Sequence, residues 1–183
     1  MSSIEIDKII KLDGPVFVLV GGAIGAGKTT VVNKHLKSLA VLDPDAIQLS
    51  QIAGFYIFYD PKKVAQTLVE LDARCKSFLK IKKSFIRMGT ASQASAALKR
   101  ADQAKEYGFT TVFLHVEVPV EQAVAQNAWR RKQGDRAVEF DKEYRITRTH
   151  AASRRTFEAI KDRFDYSCQF ENNLDTNIAP IVN

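Results

Sequence analysis

The chain of 183 residues holds two cysteines, one tryptophan and five prolines. It also lacks a long apolar run: the longest unbroken stretch, about Val16 to Val20, falls far short of the roughly 20 residues a membrane helix needs. No bilayer crossing is therefore expected. Cys75 and Cys168 stand far apart, in neither CxxC nor Cys/His spacing, which makes them reduced, part-buried thiols instead of metal ligands or a disulfide framework. His35, His115 and His150 are too dispersed for a metal site and read as structural or surface residues. The opening MSSIEIDKIIKLDGP has no basic start followed by a long apolar block, so the expected location is a cytoplasm, a host's if the gene is phage-borne. Repeats and low-complexity linkers are missing too, and the length suits one domain spanning 1–183.

What the chain does have is unevenly placed positive charge. The formal net charge is +6. Between Trp129 and Arg163 stand 11 basic residues (Arg130, Arg131, Lys132, Arg136, Lys142, Arg145, Arg148, Arg154, Arg155, Lys161, Arg163) and six acids, so that segment carries +5 of the total. An excess of this kind suits a phosphate-rich partner, a nucleotide or a nucleic acid, and a solvated helix face accounts for it equally well.

Periodicity supplies five short strand candidates: Val16 to Val20, Leu39 to Leu42, Ser84 to Arg87, Thr111 to Val118, and a weaker run from Tyr166 to Phe170. Helical segments alternate with them. Lys28 to Ser38 follows a glycine turn, and Lys62 to Lys80 places Val64, Leu68, Leu71, Cys75, Phe78 and Leu79 at three- and four-residue steps. Gln93 to Tyr107 is Ala-rich and stops at Gly108, while Glu121 to Lys132 and Phe140 to Asp162 are basic helices separated at Gly134. Alternation of this kind predicts an α/β fold, a mostly parallel sheet of about five strands with helices on both faces and a basic helical lid over roughly 130–148. Ligands of such sheets collect at the carboxyl ends of the strands.

The segment directly after the first strand candidate reads Gly22-Ala23-Ile24-Gly25-Ala26-Gly27-Lys28-Thr29-Thr30, a full match to GxxxxGK[ST]. Glycines permit backbone conformations closed to other residues and let successive N–H groups approach phosphate oxygens, while the following helix adds its positive end. In this pattern Lys28 would reach the β and γ phosphates and the Thr29 hydroxyl would hold Mg2+. ATP or GTP binding is the expectation, whereas the reaction is left open, since kinases, switches and motors share the loop.

Asp43-Pro44-Asp45 closes the second strand candidate and leaves two carboxylates at the level of the phosphates. A carboxylate there can orient an acceptor hydroxyl and take its proton, which makes Asp45 the candidate base and Asp43 a candidate holder of the metal's water shell. An equal alternative is that the triplet merely turns the chain and caps a helix.

With these elements in order, the chain resembles the zeta-toxin and polynucleotide-kinase branch of P-loop kinases. The resemblance spans roughly residues 16–173 and is carried by the loop, the Asp-x-Asp, the Gly89-Thr90 pair, Val118-Pro119 and the basic lid. It implies a three-layer P-loop kinase fold with ATP and Mg2+ as cofactors. It also implies that Asp45 is the general base, that Gly22, Gly25, Ala26, Gly27, Lys28, Thr29 and Thr30 bind the nucleotide with Thr29 and Asp43 at the metal, and that Arg130 and Arg136 act from the lid. Asn172 falls where related kinases contact adenine. Arg131, Arg145, Arg148, Arg154 and Arg155 are read as a solvated helix face.

One departure bears on the acceptor. Zeta-type sugar-nucleotide kinases end the third strand in an acid before Gly-Thr, and here Ile86-Arg87-Met88-Gly89-Thr90 puts a methionine in its place. Arg87, Met88 and Thr90 then suit an acceptor that brings its own phosphates and a flat apolar face. Phe55, Tyr56, Phe58 and Tyr59 could stack on bases. The resemblance thus implies a DNA or nucleotide acceptor, with 5-hydroxymethyluracil in DNA and a 5'-hydroxyl end as specific cases. A UDP-amino-sugar or other metabolite, and a nucleotide-dependent switch without an acceptor, are the alternatives.

Overall fold

A computed structural model describes residues 2–51, 61–132 and 142–172. In chain order the elements are β1 (Ser2–Ser3), β2 (Val16–Gly21), α1 (Lys28–His35), β3 (Ala40–Leu42), α2 (Pro44–Gln51), α3 (Pro61–Lys80), β4 (Phe85–Met88), α4 (Ala94–Glu106), β5 (Thr110–Glu117), α5 (Val120–Lys132), α6 (Lys142–Ile160) and β6 (Tyr166–Glu171). The strands form one sheet in the order β1-β6-β5-β2-β4-β3, and every pairing is parallel. The five expected strands are all present, and β1 adds a sixth at the edge.

Strand β2 shows why the sheet sits in the middle. All six of its residues are buried, and their side chains divide by parity. Val16, Val18 and Val20 join one core with Val31, Val32 and Leu36 at α1. Phe17 and Leu19 join the other with Leu71 and Leu79 of α3 and Ala97, Ala101 and Ala104 of α4. A strand buried on both faces reads as an unbroken apolar run, as VFVLV does. At about 1.5–3 kcal/mol for each large apolar side chain removed from water, these two layers supply the main stabilising term.

The helices follow their apolar stripes with one adjustment. On α3 the buried line is Thr67, Leu71, Cys75 and Leu79, each four residues after the last, so Leu68 lies beside the line and is half exposed. On α4 three alanines face the sheet and allow close approach. Both cysteines are free and buried. Among the described residues no helix is long and apolar enough to cross a membrane. The middle of the expected lid, including Arg136 and Gly134, and the run Phe55 to Tyr59 lie outside the described residues.

Candidate nucleotide and phosphotransfer site

The glycine loop joins β2 to α1 over the central strands. Gly22 has φ +143 and Gly25 φ +81, and a Cβ at either would collide with a backbone carbonyl, that of Val116 and of Ala123 respectively. The loop is therefore pressed against the end of β5 and the first turn of α5, which only glycine permits. Gly27, also left-handed at φ 77, occupies the N-cap position of α1 with no side-chain cap. The first-turn amides of α1 have no intrahelical acceptors, and their summed dipole attracts an anion.

Lys28 opens α1 and folds back into the loop, where its ammonium donates to the carbonyls of Gly22 at 3.0 Å and Ala23 at 2.7 Å. Burial pushes its pKa down to about 8, with Arg130 adding to the fall, while the carboxylates of Asp45 and then Asp43 oppose it. Three of the expected site residues, Asp43, Asp45 and Arg130, are thus each within electrostatic reach of a fourth, Lys28. The carboxylates come from the β3 end and the guanidinium from α5.

Asp43 has a second task. Its Oδ1 accepts the Asp45 N–H at 2.9 Å and its carbonyl accepts the Ile47 N–H at 3.2 Å, so it caps α2 while Pro44 takes the first helical position. Asp43 therefore does cap a helix, whatever else it does, and Asp45 is exposed in the first turn of α2. Thr29 is half-buried on the first turn of α1, beside an exposed Thr30. Asn172, beyond the end of β6, donates from Nδ2 to the Ala26 carbonyl at 2.9 Å, which brings it against the loop.

Residues of the β4 end divide. Thr90 holds the loop through its carbonyl, which accepts the Gly22 N–H at 3.3 Å, and its hydroxyl pairs with Ser92 at 3.0 Å. Met88 is buried in the core that contains α1. Arg87 points to the other face, where its Nη1 donates to Asp72 at 2.8 Å and to Cys75 Sγ at 3.0 Å under α3. Sequence reading gives no sign of this clamp, because Asp72 and Cys75 become neighbours of Arg87 only through packing. It also misses Glu117 at the end of β5, which accepts from Gln169 at 3.1 Å and pairs with Arg154 at 3.5 Å. A carboxylate ending a central strand is the signal that could have found it. The histidines fall where expected for structural residues: His35 meets Asp7 at 2.8 Å, His150 donates from Nε2 to the Val118 carbonyl at 2.9 Å, and His115 stacks on Phe157.

A parallel three-layer α/β sheet with this loop at its central strand defines a P-loop kinase fold. The chain belongs to the AAA domain family AAA_33, whose model matches residues 17–164. No curated protein sequence matches it at a significant level. Among solved structures it is similar to a chain of the PezAT chromosomal toxin–antitoxin system of Streptococcus pneumoniae, with 14% identity, a TM-score of 0.64, and coverage of 88% of this chain and 70% of that one. It is also similar to a chain of the Pnkp1/Rnl/Hen1 RNA repair complex, with 20% identity, a TM-score of 0.66, and coverage of 83% and 47%. A chain of the AvrRxo1-ORF1:-ORF2 complex solved with ATP gives 16% identity, a TM-score of 0.60, and coverage of 86% and 53%. The chain therefore spans about half the length of the latter two. At these identities the likeness establishes the fold.

Proposed function

We propose that the protein is an ATP-dependent kinase that transfers the γ-phosphate to a hydroxyl of a nucleic-acid or nucleotide acceptor, with 5-hydroxymethyluracil in DNA and a 5'-hydroxyl end as the first acceptors to try. The observation that carries this reading is that Lys28, folded into the loop, lies within electrostatic reach of two carboxylates from the β3 end and a guanidinium from α5. A nucleotide-binding module needs only the loop. A carboxylate near the loop lysine supplies what a phosphotransferase needs in addition.

In this mechanism the loop amides and Lys28 hold the β and γ phosphates. The acceptor oxygen forms its bond to the γ-phosphorus as the bond to the bridging oxygen breaks and ADP leaves, and the acceptor proton goes to the Asp45 carboxylate. Arg130, with Arg136 from the lid, neutralises charge on the transferring group without ever giving up its own proton. Thr29 and Asp43 offer hard oxygen donors suited to Mg2+. No group of three or more His, Cys, Asp or Glu suited to a metal occurs among the described residues, which fits an ion that borrows most of its ligands from phosphates and water. That ion would supply charge neutralisation at the phosphates. Thr90 and Asn172 act as positioning residues for the loop. Arg87, held by Asp72 and Cys75 under α3, and Met88, buried in the layer with α1, are given no direct contact with the acceptor in this mechanism.

The likeness to a chain of an RNA repair complex favours a polynucleotide acceptor, and the likeness to a chain of a toxin–antitoxin system keeps a UDP-amino-sugar as the second reading. Labelled ATP offered with unmodified DNA, hydroxymethyluracil DNA, 5'-hydroxyl oligonucleotides and UDP-amino-sugars decides between them. Asp45→Asn should retain ATP binding and lose about 10²–10⁴ in turnover. Unchanged turnover removes Asp45 from the base role, and label transfer to none of the acceptors reduces the protein to a nucleotide-dependent switch.

A further inference from the structure

Helix α6 carries five cations against two carboxylates. Steps of four and seven residues set Tyr144, Arg148 and Arg155 on one outward ridge, and all three are exposed. Some cations elsewhere on this surface are paired locally: Lys8 with Glu5 at 3.3 Å, Lys105 with Asp165 at 3.0 Å, Lys161 with Glu158 at 2.6 Å, and Arg74 with Glu70. Arg154, beside the ridge, is matched by Glu117. Arg148 and Arg155 have no carboxylate partner among the described residues, and Glu158, the ridge's own acid, is occupied by Lys161.

The ridge also has a direction. Near its start Ile146 packs into the core that holds Ala23 and Ala26 of the glycine loop, and His150 is tied to the end of β5 through Val118. From there α6 runs away from the strand ends toward the base of the sheet. Arg148 and Arg155 are about 10 Å apart along it at the rise of an α-helix. Unpaired guanidiniums in series, with an exposed phenol ring at the end nearest the site, match a chain of phosphates carrying stackable bases. Apart from that ring the ridge presents no large apolar side chain, so it has nothing to insert into a lipid surface.

We infer that the Tyr144–Arg148–Arg155 ridge of α6 is a nucleic-acid docking surface that leads a single strand to the nucleotide site. This deepens the kinase reading by giving the acceptor its class, and it rests on that reading for the transfer step alone. The test is the binding of a labelled single-stranded 5'-hydroxyl oligonucleotide, followed by fluorescence anisotropy at several salt concentrations, to the wild-type protein and to an Arg148→Glu/Arg155→Glu variant. Charge reversal should weaken binding at least tenfold and lower the slope of log affinity against log salt by about 1.4, the loss of two phosphate contacts to a single strand. ATP affinity and transfer to a mononucleoside acceptor should stay as they are, while KM for the oligonucleotide rises. Unchanged oligonucleotide affinity and slope overturn the inference. Equal binding to phosphatidylcholine vesicles containing phosphatidylserine, lost in the same variant, overturns it in favour of a membrane. Oligonucleotide binding that depends on the ridge without any phosphate transfer supports the docking surface and removes the kinase reading.

Discussion

His115 lies on β5 level with Gly21 of the neighbouring strand, with its ring stacked on Phe157 at a centroid distance of 4.9 Å. Its Nδ1 is buried without a hydrogen-bond partner, and its Nε2 faces Glu117 at 3.6 Å. Burial pushes its pKa down to about 4, with His150 and Lys28 adding to the fall and Glu158 opposing it. Above the ordinary value of about 6.5 the ring is neutral in both folded and unfolded chains and costs nothing. As pH falls from there to about 4, the unfolded chain takes up a proton that the folded protein refuses, so stability drops. The whole window is worth about 3 kcal/mol, and about 2 kcal/mol is lost between pH 7.5 and pH 5. Urea midpoints at those two pH values should show this loss in the wild type and a flatter profile in His115→Gln. An equal loss in both would place the proton elsewhere. Asp165 does not blur the window: burial alone would raise its pKa, but hydrogen bonds from Thr111 and the nearby Lys105 hold it below the usual carboxylate value, so its contribution is lost only at more acid pH.

At the scale of elements, legibility in the sequence follows from how local the cause is. The glycine loop and α1 are readable because the backbone geometry at Gly22 and Gly25 admits no other residue and the pattern is fixed within nine positions. Strands β2 and β5 are readable because burial on both faces makes them unbroken apolar runs. Helix α2 escapes periodicity, since eight residues hold barely two turns, although Asp43 at its cap and Pro44 in its first position carry the signal. The two residues of β1 pair only with the far end of the chain at β6, and no local pattern announces that. Arg87 shows the same limit: the sequence places a cation at a strand's end, and only the packing of α3 decides that it meets Asp72 and Cys75. The loop's closeness to α5 is likewise a tertiary fact, and it can be tested. Gly25→Ala forces a Cβ into the Ala123 carbonyl at φ +81, whereas Gly14→Ala, at φ +74, meets nothing within 4 Å. Gly14→Ala should cost about 1 kcal/mol, the ordinary penalty of the left-handed region. Gly25→Ala should cost more, about 1–3 kcal/mol of strain with displacement of α5 added, and should abolish ATP binding. Thermal melts and ATP titrations of the two variants measure the difference, and equal melting temperatures would show that the loop yields freely.

For the whole molecule, the sheet divides the apolar interior into two layers, and α6 reaches both: Ile146 enters the layer behind α1, while Phe157 and Ile160 enter the layer under α3 and α4. The candidate site draws on the same span, from β2 and α1 through the β3 end to α5 and, by Asn172, the end of β6. A ligand bound there draws on elements packed into both layers, so its binding energy should appear in global unfolding. On the kinase reading, ATP with Mg2+ at a hundredfold excess over its Kd stabilises the folded state by about 2.7 kcal/mol. For a chain of this size that raises the melting temperature by about 5–10 °C. The shift should come as one cooperative transition seen alike by far-UV dichroism and by the fluorescence of Trp129 on α5, and Gly25→Ala should abolish it. A rise seen by Trp129 alone would mean that α5 folds over the nucleotide separately from the sheet, and no rise at all would mean that the loop does not close on a phosphate.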